Sequence, residues 1–135
     1  MSNLSIEEME IIKYARNELD RNLIIDLDDN IPNPGSFILS KKHNYYHGIA
    51  FDAARCIHGE ENAIGNMLTE EGMNAKINII LIIGPDEKIC MPCGMCRVAI
   101  HKYSDEDTII LCSNLSLANV EKHTISELYP HPYVE

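Results

Sequence analysis

The stretch that decides the fold is "KINIILIIGPDEKICMPCGMCRVAIHKY", residues 76–103. Its opening segment, "KINIILIIG", is largely apolar and does not alternate with polar residues, which predicts a central β-strand covered on both faces. Its closing segment, "CGMCRVAIHKY", has helical character, and the residues around Cys93, a proline before and a glycine after, mark the turn into that helix. A strand that is covered on both faces and followed by a helix is typical of an α/β protein.

Patterns on either side of this stretch predict the remaining elements. Near the N-terminus, Ser5 and Glu8 have the spacing of a capping box, and the apolar residues that follow predict a helix over about 5–22. The prolines, glycine and Asx residues of 26–35 predict a loop. The other expected elements are a β-hairpin of "SFILS" (36–40) and "YYHGIAF" (45–51), a helix over 58–72, a strand "DTIILCS" (107–113) and a short helix "TISELYP" (124–130).

This order of elements predicts an α/β fold with three layers, α/β/α, in which helices cover both faces of one sheet. The chain has 135 residues, 45% of them hydrophobic, which is enough for one core and too few for two. We therefore expect a single domain over 1–135, with its core at about 34–130. There is no signal-peptide pattern, and the longest apolar run is far shorter than a membrane span, so a soluble, cytoplasmic protein without a membrane partner is expected.

The charge balance excludes some partners. With 21 acidic and 11 basic residues the formal net charge is −10, so the average surface repels phosphate backbones. The sequence has no stripe of Lys and Arg interleaved with aromatic residues. A nucleic-acid partner is therefore disfavoured, and the acidity indicates a solvated surface that keeps the protein soluble.

Three cysteines lie close together in "ICMPCGMCR", residues 89–97. Such a cluster could form a disulfide, a zinc site, part of an iron–sulfur site or a redox pair. A reducing cytosol and the odd total of five cysteines argue against a disulfide framework. A bacterial-type iron–sulfur run would need a fourth cysteine where the chain has Ile100. A redox pair would not call for the histidine discussed next, so zinc is the favoured use of the cluster.

The strongest candidate for a further zinc ligand is His58, which is followed two residues later by Glu60. Together with Pro92, Cys93 and Cys96, these residues give the order H-x-E followed by P-C-x-x-C, the signature of zinc-dependent nucleobase deaminases. If His58 begins one helix and the two cysteines begin the next, three ligands converge and the fourth position stays open for water. Glu60 can then serve as the general acid and base. A purely structural zinc site would leave Glu60 without a role.

The other three cysteines are not expected to bind this metal. Cys90 lies at the end of the extended segment before Pro92 and is interpreted as a spare. Cys56 and Cys112 have apolar neighbours, which predicts ordinary buried thiols.

On these motifs the chain resembles the cytidine deaminase superfamily, specifically the small nucleoside-type deaminases that include cytidine deaminase and blasticidin S deaminase. The resemblance runs from about Pro34 to Pro130 and includes "PGSFILS", "HGE", "PCGMCR" and "ISELYP". It implies a five-stranded mixed sheet between helices, one Zn²⁺ per chain, and a homotetramer or homodimer whose sites draw on neighbouring subunits. It also implies that Arg97 hydrogen-bonds the zinc thiolates.

The chain departs from the family where the substrate is held. The family's ribose-binding N-x-E corresponds here to Ala50, Phe51 and Asp52, in "GIAFDAA", so the asparagine is missing. Asp52 could keep one hydroxyl contact, and Phe51 is a candidate for ring stacking. Because a lost polar contact strongly changes discrimination, the expected substrate is a cytidine-like nucleoside, a nucleoside analogue or a related aminated heterocycle. The alternative is a non-catalytic, zinc-stabilised binding or assembly protein on the same fold.

Overall fold

The computed structural model describes residues 3–22 and 34–133. Most of the predicted loop over 26–35 lies outside the described residues. The elements are, in chain order, α1 (Ile6–Asn22), β1 (Gly35–Ser40), β2 (Tyr45–Gly48), β3 (Phe51–Asp52), β4 (Cys56–Ile57), α2 (Gly59–Glu71), β5 (Ile77–Ile83), α3 (Gly94–Lys102), β6 (Ser104–Ser113), β7 (Val120–Thr124) and α4 (Ile125–Leu128).

Five strands form a mixed sheet with the order β2-β1-β5-β6-β7. Strand β5 is central, as its unbroken apolar character predicts, and it pairs antiparallel with β1 and parallel with β6. The two edge strands, β2 and β7, pair antiparallel with β1 and β6. The parallel pair β5 and β6 is connected through α3, so the cysteine segment runs from the end of β5 to the start of that helix.

Helices cover both faces of this sheet, which confirms the predicted three-layer α/β/α architecture. One core lies between the sheet and helices α2, α3 and α4, and includes Ile38, Ile80, Ile82, Ile110, Ala63, Met67, Ile100 and Leu128. A second core lies between the other face and α1, and includes Phe37, Leu39, Ile79, Leu81, Leu111, Ile11 and Ala15. Successive residues of β5 contribute to opposite cores, which is why this strand is apolar without alternation.

The structure differs from the sequence prediction at two strands. The run "YYHGIAF" is not one strand: β2 ends at Gly48, and Phe51–Asp52 pairs instead with Cys56–Ile57 in a separate small sheet. Strand β7 was not expected from its residues, "VEKHT", which are mostly polar because β7 is an edge strand with a partly solvated face. None of the helices in the part of the chain that the structure describes is long and apolar enough to cross a bilayer.

Glycines let the start of α2 press against the sheet. A Cβ on Gly48 would lie 2.2 Å from the backbone N of Ala63, and one on Gly35 would lie 1.9 Å from the carbonyl O of Gly48. Gly35 also has a φ of +78°, a backbone conformation that residues with a Cβ rarely adopt. The backbone of α2 therefore sits directly on β1 and β2, and the first residues of the helix are held over the end of the sheet.

Candidate metal centre and active site

His58 is positioned by the N-terminal cap of α2. Its backbone N–H donates a 2.9 Å hydrogen bond to Oε1 of Glu61, in the arrangement of a capping box. Glu61 also accepts two hydrogen bonds from the Arg55 guanidinium, at 3.2 and 3.1 Å. The hydrogen bond from Arg55, and after it the one from the His58 backbone, lower the pKa of Glu61. The charged Glu61 carboxylate thus joins the Arg55 side chain to the backbone of His58 at the start of α2.

Cys93 and Cys96 are positioned by the start of α3, where Cys93 is the N-cap residue and Cys96 lies in the first turn. Arg97 ties this turn to its surroundings, because Nε donates to the Pro92 carbonyl at 2.8 Å and Nη1 donates to the Leu128 carbonyl at 2.7 Å. Arg97 therefore links the residue before Cys93 to the last residue of α4. Its hydrogen bond to the thiolates, which the family resemblance implies, stays a prediction.

The three predicted ligand residues come together between the two helix starts. Nδ1 of His58 lies 3.2 Å from Sγ of Cys96 and 3.3 Å from Sγ of Cys93. The three ligand atoms all lie within 4.8 Å of one another. A tetrahedral zinc ion with ordinary Zn–N and Zn–S bonds separates its ligand atoms by about 3.6–3.8 Å. The donor set and its spacing therefore fit one Zn²⁺ ion with small adjustments of the side chains.

Two thiols near Glu60, those of Cys96 and Cys90, are harder to ionise than an ordinary cysteine. Burial, followed by the nearby Glu60 carboxylate, raises the pKa of the Cys96 thiol. The same two causes, in the same order, raise the pKa of the Cys90 thiol. Without a compensating positive charge, both thiols are therefore favoured in the neutral form. A cation bound at Cys96 must offset this preference, because the metal ligand is the thiolate.

Glu60 lies in the first turn of α2, next to this cluster. Its Oε1 accepts a 3.0 Å hydrogen bond from Oγ of Ser36, a fully buried residue of β1. The carboxylate also contributes to the raised pKa of Cys96 through a side-chain hydrogen bond. Glu60 therefore reaches from β1 to the ligand cluster, which is the location that the sequence predicts for an acid–base group.

A cleft of about 370 Å³ opens over these residues, within the size range of small-molecule sites. Its lining is mostly apolar and consists of Pro34, Gly35, Ala50, Cys56, His58, Glu60, Ile82, Ile83, Pro85, Cys90, Met91 and Cys93. A second cleft, of about 280 Å³, lies elsewhere on the molecule, beside α4, and contains none of the proposed ligands. We take the first cleft as the candidate site because the metal-binding chemistry lies in it.

The predicted substrate contacts are distributed unevenly around this cleft. Ala50 lines it, whereas Phe51 and Asp52 are exposed on β3 and are not part of the described lining. The contacts predicted for Phe51 and Asp52 therefore stay predictions.

Two of the other cysteines line the cleft. The expectation that Cys56 is a buried thiol is wrong, because Cys56 is exposed on β4, a strand of the separate small sheet, and lines the cleft. Cys90, interpreted from the sequence as a spare, also lines the cleft. Cys112 is fully buried, as predicted, and burial is the main cause that raises its pKa to about 12.

Sequence reasoning missed three residues that support the site: Ser36, Arg55 and Glu61. Glu61 had a local signal, because it is the third helical residue after His58, the position of the glutamate in a capping box. Arg55 and Ser36 had no local signal in the sequence, because their contacts depend on a loop conformation and on the packing of α2 against β1.

Comparisons with known proteins agree with the fold and the donor set. The family model described as "Cytidine and deoxycytidylate deaminase zinc-binding region" matches residues 8–112, most of the chain. The chain belongs to this family of zinc-binding deaminases. Among curated proteins, no sequence matches it significantly.

Solved cytidine deaminases share the fold at low sequence identity. The enzyme from Burkholderia pseudomallei is 16% identical, with a TM-score of 0.76 over 96% of this chain and 100% of that one. The enzyme from Mycobacterium leprae is also 16% identical, with a TM-score of 0.69 over 94% of this chain and 100% of that one. The enzyme from Mycobacterium tuberculosis is 13% identical, with a TM-score of 0.61 over 75% and 78%. At such identities the likeness establishes the fold alone. The substrate has to be inferred from the residues that line the site.

Proposed function

We propose that this protein is a zinc-dependent hydrolytic deaminase, with Zn²⁺ held by His58, Cys93 and Cys96 and with Glu60 as the acid–base catalyst. The observation that carries the proposal is the approach of the His58 Nδ1 atom to within 3.2 and 3.3 Å of the two cysteine sulfurs, with the Glu60 carboxylate beside them. When bound in such a donor set, Zn²⁺ lowers the pKa of a coordinated water towards neutrality.

Glu60 would move the protons of the reaction. Its carboxylate accepts a proton from the attacking water and delivers it to the ring nitrogen next to the amine-bearing carbon. The carboxylate then takes the proton of the hydroxyl group that has added to the ring carbon and delivers it to the amine, which leaves as ammonia while the ring carbonyl forms. Attack by water, loss of ammonia and formation of a ring carbonyl balance as a hydrolysis, and no redox step is required.

The proposed substrate is a cytidine-like nucleoside, a nucleoside analogue or a related aminated heterocycle. The apolar lining of the cleft, from residues such as Ile83, Pro85 and Met91, supports a flat, uncharged ring. Ala50 contributes no polar side chain to the cleft wall, which favours a ligand whose non-reacting part needs little hydrogen bonding there. The solved relatives named above, which are cytidine deaminases, make cytidine the first compound to try.

Ammonia release from a panel of cytidine, deoxycytidine, cytosine and other aminated rings tests the proposal. We expect turnover of at least one compound by the zinc-loaded protein and its loss in Glu60→Gln, while zinc stays bound. Glu70→Gln, an exposed position on the same helix, is the matched control and should keep full activity. Undiminished turnover in Glu60→Gln would remove Glu60 from the mechanism.

The second candidate function is a non-catalytic, zinc-stabilised binding or assembly protein on the same fold. Ala50, where the resemblance calls for an asparagine, is the observation that favours it. One zinc per chain without ammonia release from any ring of the panel would support this function over the enzyme.

We also propose a cytoplasmic homodimer or homotetramer. Exposed apolar side chains, Met91 in the cleft lining and Met95 and Val98 on α3, support an assembly that covers them. Sedimentation velocity of the zinc-loaded protein measures the assembly, and a monomer at micromolar concentration would contradict it.

A further inference from the structure

Two serines of β1 each donate a hydrogen bond to a glutamate of α2. Oγ of Ser36 donates to Oε1 of Glu60 at 3.0 Å, and Oγ of Ser40 donates to Oε2 of Glu71 at 2.6 Å. Both serines are fully buried and lie on the same face of the strand, with Ile38 between them. The two bonds connect one strand to the two ends of one helix.

The two contacts differ in their surroundings. Glu71 lies at the C-terminal end of α2, where Asn44 and Tyr46 also donate to its Oε2, at 3.0 and 2.8 Å. Its location is far along the helix from the proposed ligands. Glu60 lies at the opposite end, beside Cys96 and in the lining of the cleft. The serine bond at Glu60 therefore acts on a group in the candidate active site, whereas the bond at Glu71 acts on a structural carboxylate.

We infer that Ser36 is a positioning residue that holds one oxygen of the Glu60 carboxylate, so that the other oxygen faces the open side of the metal centre. This inference rests on the proposed function. A glutamate side chain has three rotatable bonds, and an unanchored carboxylate would occupy several orientations over the cleft. A hydrogen bond to one oxygen restricts these orientations, which is the preorganisation that proton transfer within hydrogen-bonding distance requires. Ser36 does not touch the substrate and exchanges no proton in this role.

The kinetic test uses zinc-loaded Ser36→Ala and, as a matched control, Ser40→Ala, with whichever compound of the panel the wild type deaminates. We expect Ser36→Ala to lower kcat by roughly 10–100-fold with KM within about twofold, because the loss affects the reacting step and not ground-state binding. Ser40→Ala removes an equivalent buried hydroxyl and should leave kcat unchanged. Equal kcat values in Ser36→Ala and wild type, with Glu60→Gln inactive, would overturn the inference while leaving the proposed function intact.

A measurement independent of turnover tests the contact itself. In thermal unfolding of the zinc-loaded protein, Ser36→Ala should lower the Tm of the wild type more than it lowers the Tm of Glu60→Ala, because the partner is already absent in that background. Equal shifts in the two backgrounds would overturn the inference. A crystal structure of the zinc-loaded wild type with Ser36 Oγ beyond 3.5 Å from both Glu60 oxygens would do the same. Absence of turnover from the whole panel, with unequal Tm shifts, would instead count against the proposed function.

Discussion

Gly59, the first residue of α2, packs so closely on Gly35 of β1 that a Cβ on Gly59 would lie 2.9 Å from the Cα of Gly35. The same Cβ would lie 3.1 Å from the carbonyl O of Gly48. This contact between backbones sets the height of α2 above the sheet. It places His58 and Glu60, the residues on either side of Gly59, against α3 and β1 respectively.

Gly59→Ala should therefore destabilise the protein and weaken the site. Alanine is preferred over glycine in a helix by about 1 kcal/mol, but a methyl group forced against backbone costs roughly 1–3 kcal/mol and displaces the helix start. We expect a lower free energy of unfolding in urea and a lower kcat. Gly65→Ala is the matched control on the same helix: among the described residues, no atom beyond the adjoining helix backbone lies within 4 Å of its added Cβ, so it should be neutral or stabilising. Similar effects of the two substitutions would contradict the packing argument.

Loss of either thiol ligand should abolish stable zinc binding. We expect Cys93→Ser and Cys96→Ser to lose more zinc affinity than the roughly 10–100-fold that loss of an outer partner costs, because a direct ligand is removed. Cys56→Ser and Cys112→Ser, one exposed and one buried, should keep one zinc per chain. Zinc content after dialysis against a chelator checks the prediction, and full occupancy in Cys96→Ser would disprove the ligand assignment.

Arg97→Ala should loosen the metal site without removing a ligand. The substitution deletes the hydrogen bonds to the carbonyls of Pro92 and Leu128, which fix the turn before Cys93 and the end of α4. We expect zinc affinity to fall by roughly 10–100-fold, as for other groups that orient ligands. Competition with a chromophoric chelator measures this. Lys102→Ala, an exposed position on the same helix, is the control, and a zinc affinity of Arg97→Ala equal to that of Lys102→Ala would refute the role.

Glu71 should contribute to the acid sensitivity of the fold. Burial tends to raise the pKa of Glu71, but hydrogen bonds from Ser40, Asn44 and Tyr46 outweigh it and lower this pKa below the ordinary value of 4.5. Because the folded state binds its proton less readily than the unfolded state, the stabilisation is present above pH 4.5 and is lost as the pH falls through the lowered pKa. The free energy of unfolding should therefore fall less steeply in this range for Glu71→Gln than for the wild type; equal slopes would contradict the prediction.

Tyr46 should titrate late at alkaline pH. Its burial, and then its hydrogen bond to Glu71, raise the pKa of this phenol to about 12. The neutral phenol is favoured by folding, so its contribution to stability is complete below the ordinary pKa of 10.0 and is lost as the pH rises towards 12. Tyrosinate absorbance of the wild type and Tyr46→Phe should differ by one late-titrating group. Identical titration curves for the two proteins would show that Tyr46 is not the group concerned.

The sequence predicted those parts of the molecule whose signals are local. The uninterrupted apolar residues of β5 indicate a strand between two layers, and short spacings link His58 to Glu60 and Cys93 to Cys96. The rest depends on contacts between distant segments. Strand β7 is polar enough to resemble a loop, and β2 ends at Gly48, where the backbone of α2 lies against the strand. The hydrogen bond between Ser36 and Glu60 can form only after α2 has packed on the sheet.

Zinc K-edge X-ray absorption on the purified wild type tests the central claim, a single Zn²⁺ shared by His58, Cys93 and Cys96 with one position left open. We predict about two sulfur neighbours near 2.3 Å and about two nitrogen or oxygen neighbours near 2.0 Å for each zinc. A shell of three or four sulfurs would mean that Cys90 or another thiol closes the site and that the centre is structural. Protein prepared with zinc that retains no zinc would contradict the account altogether.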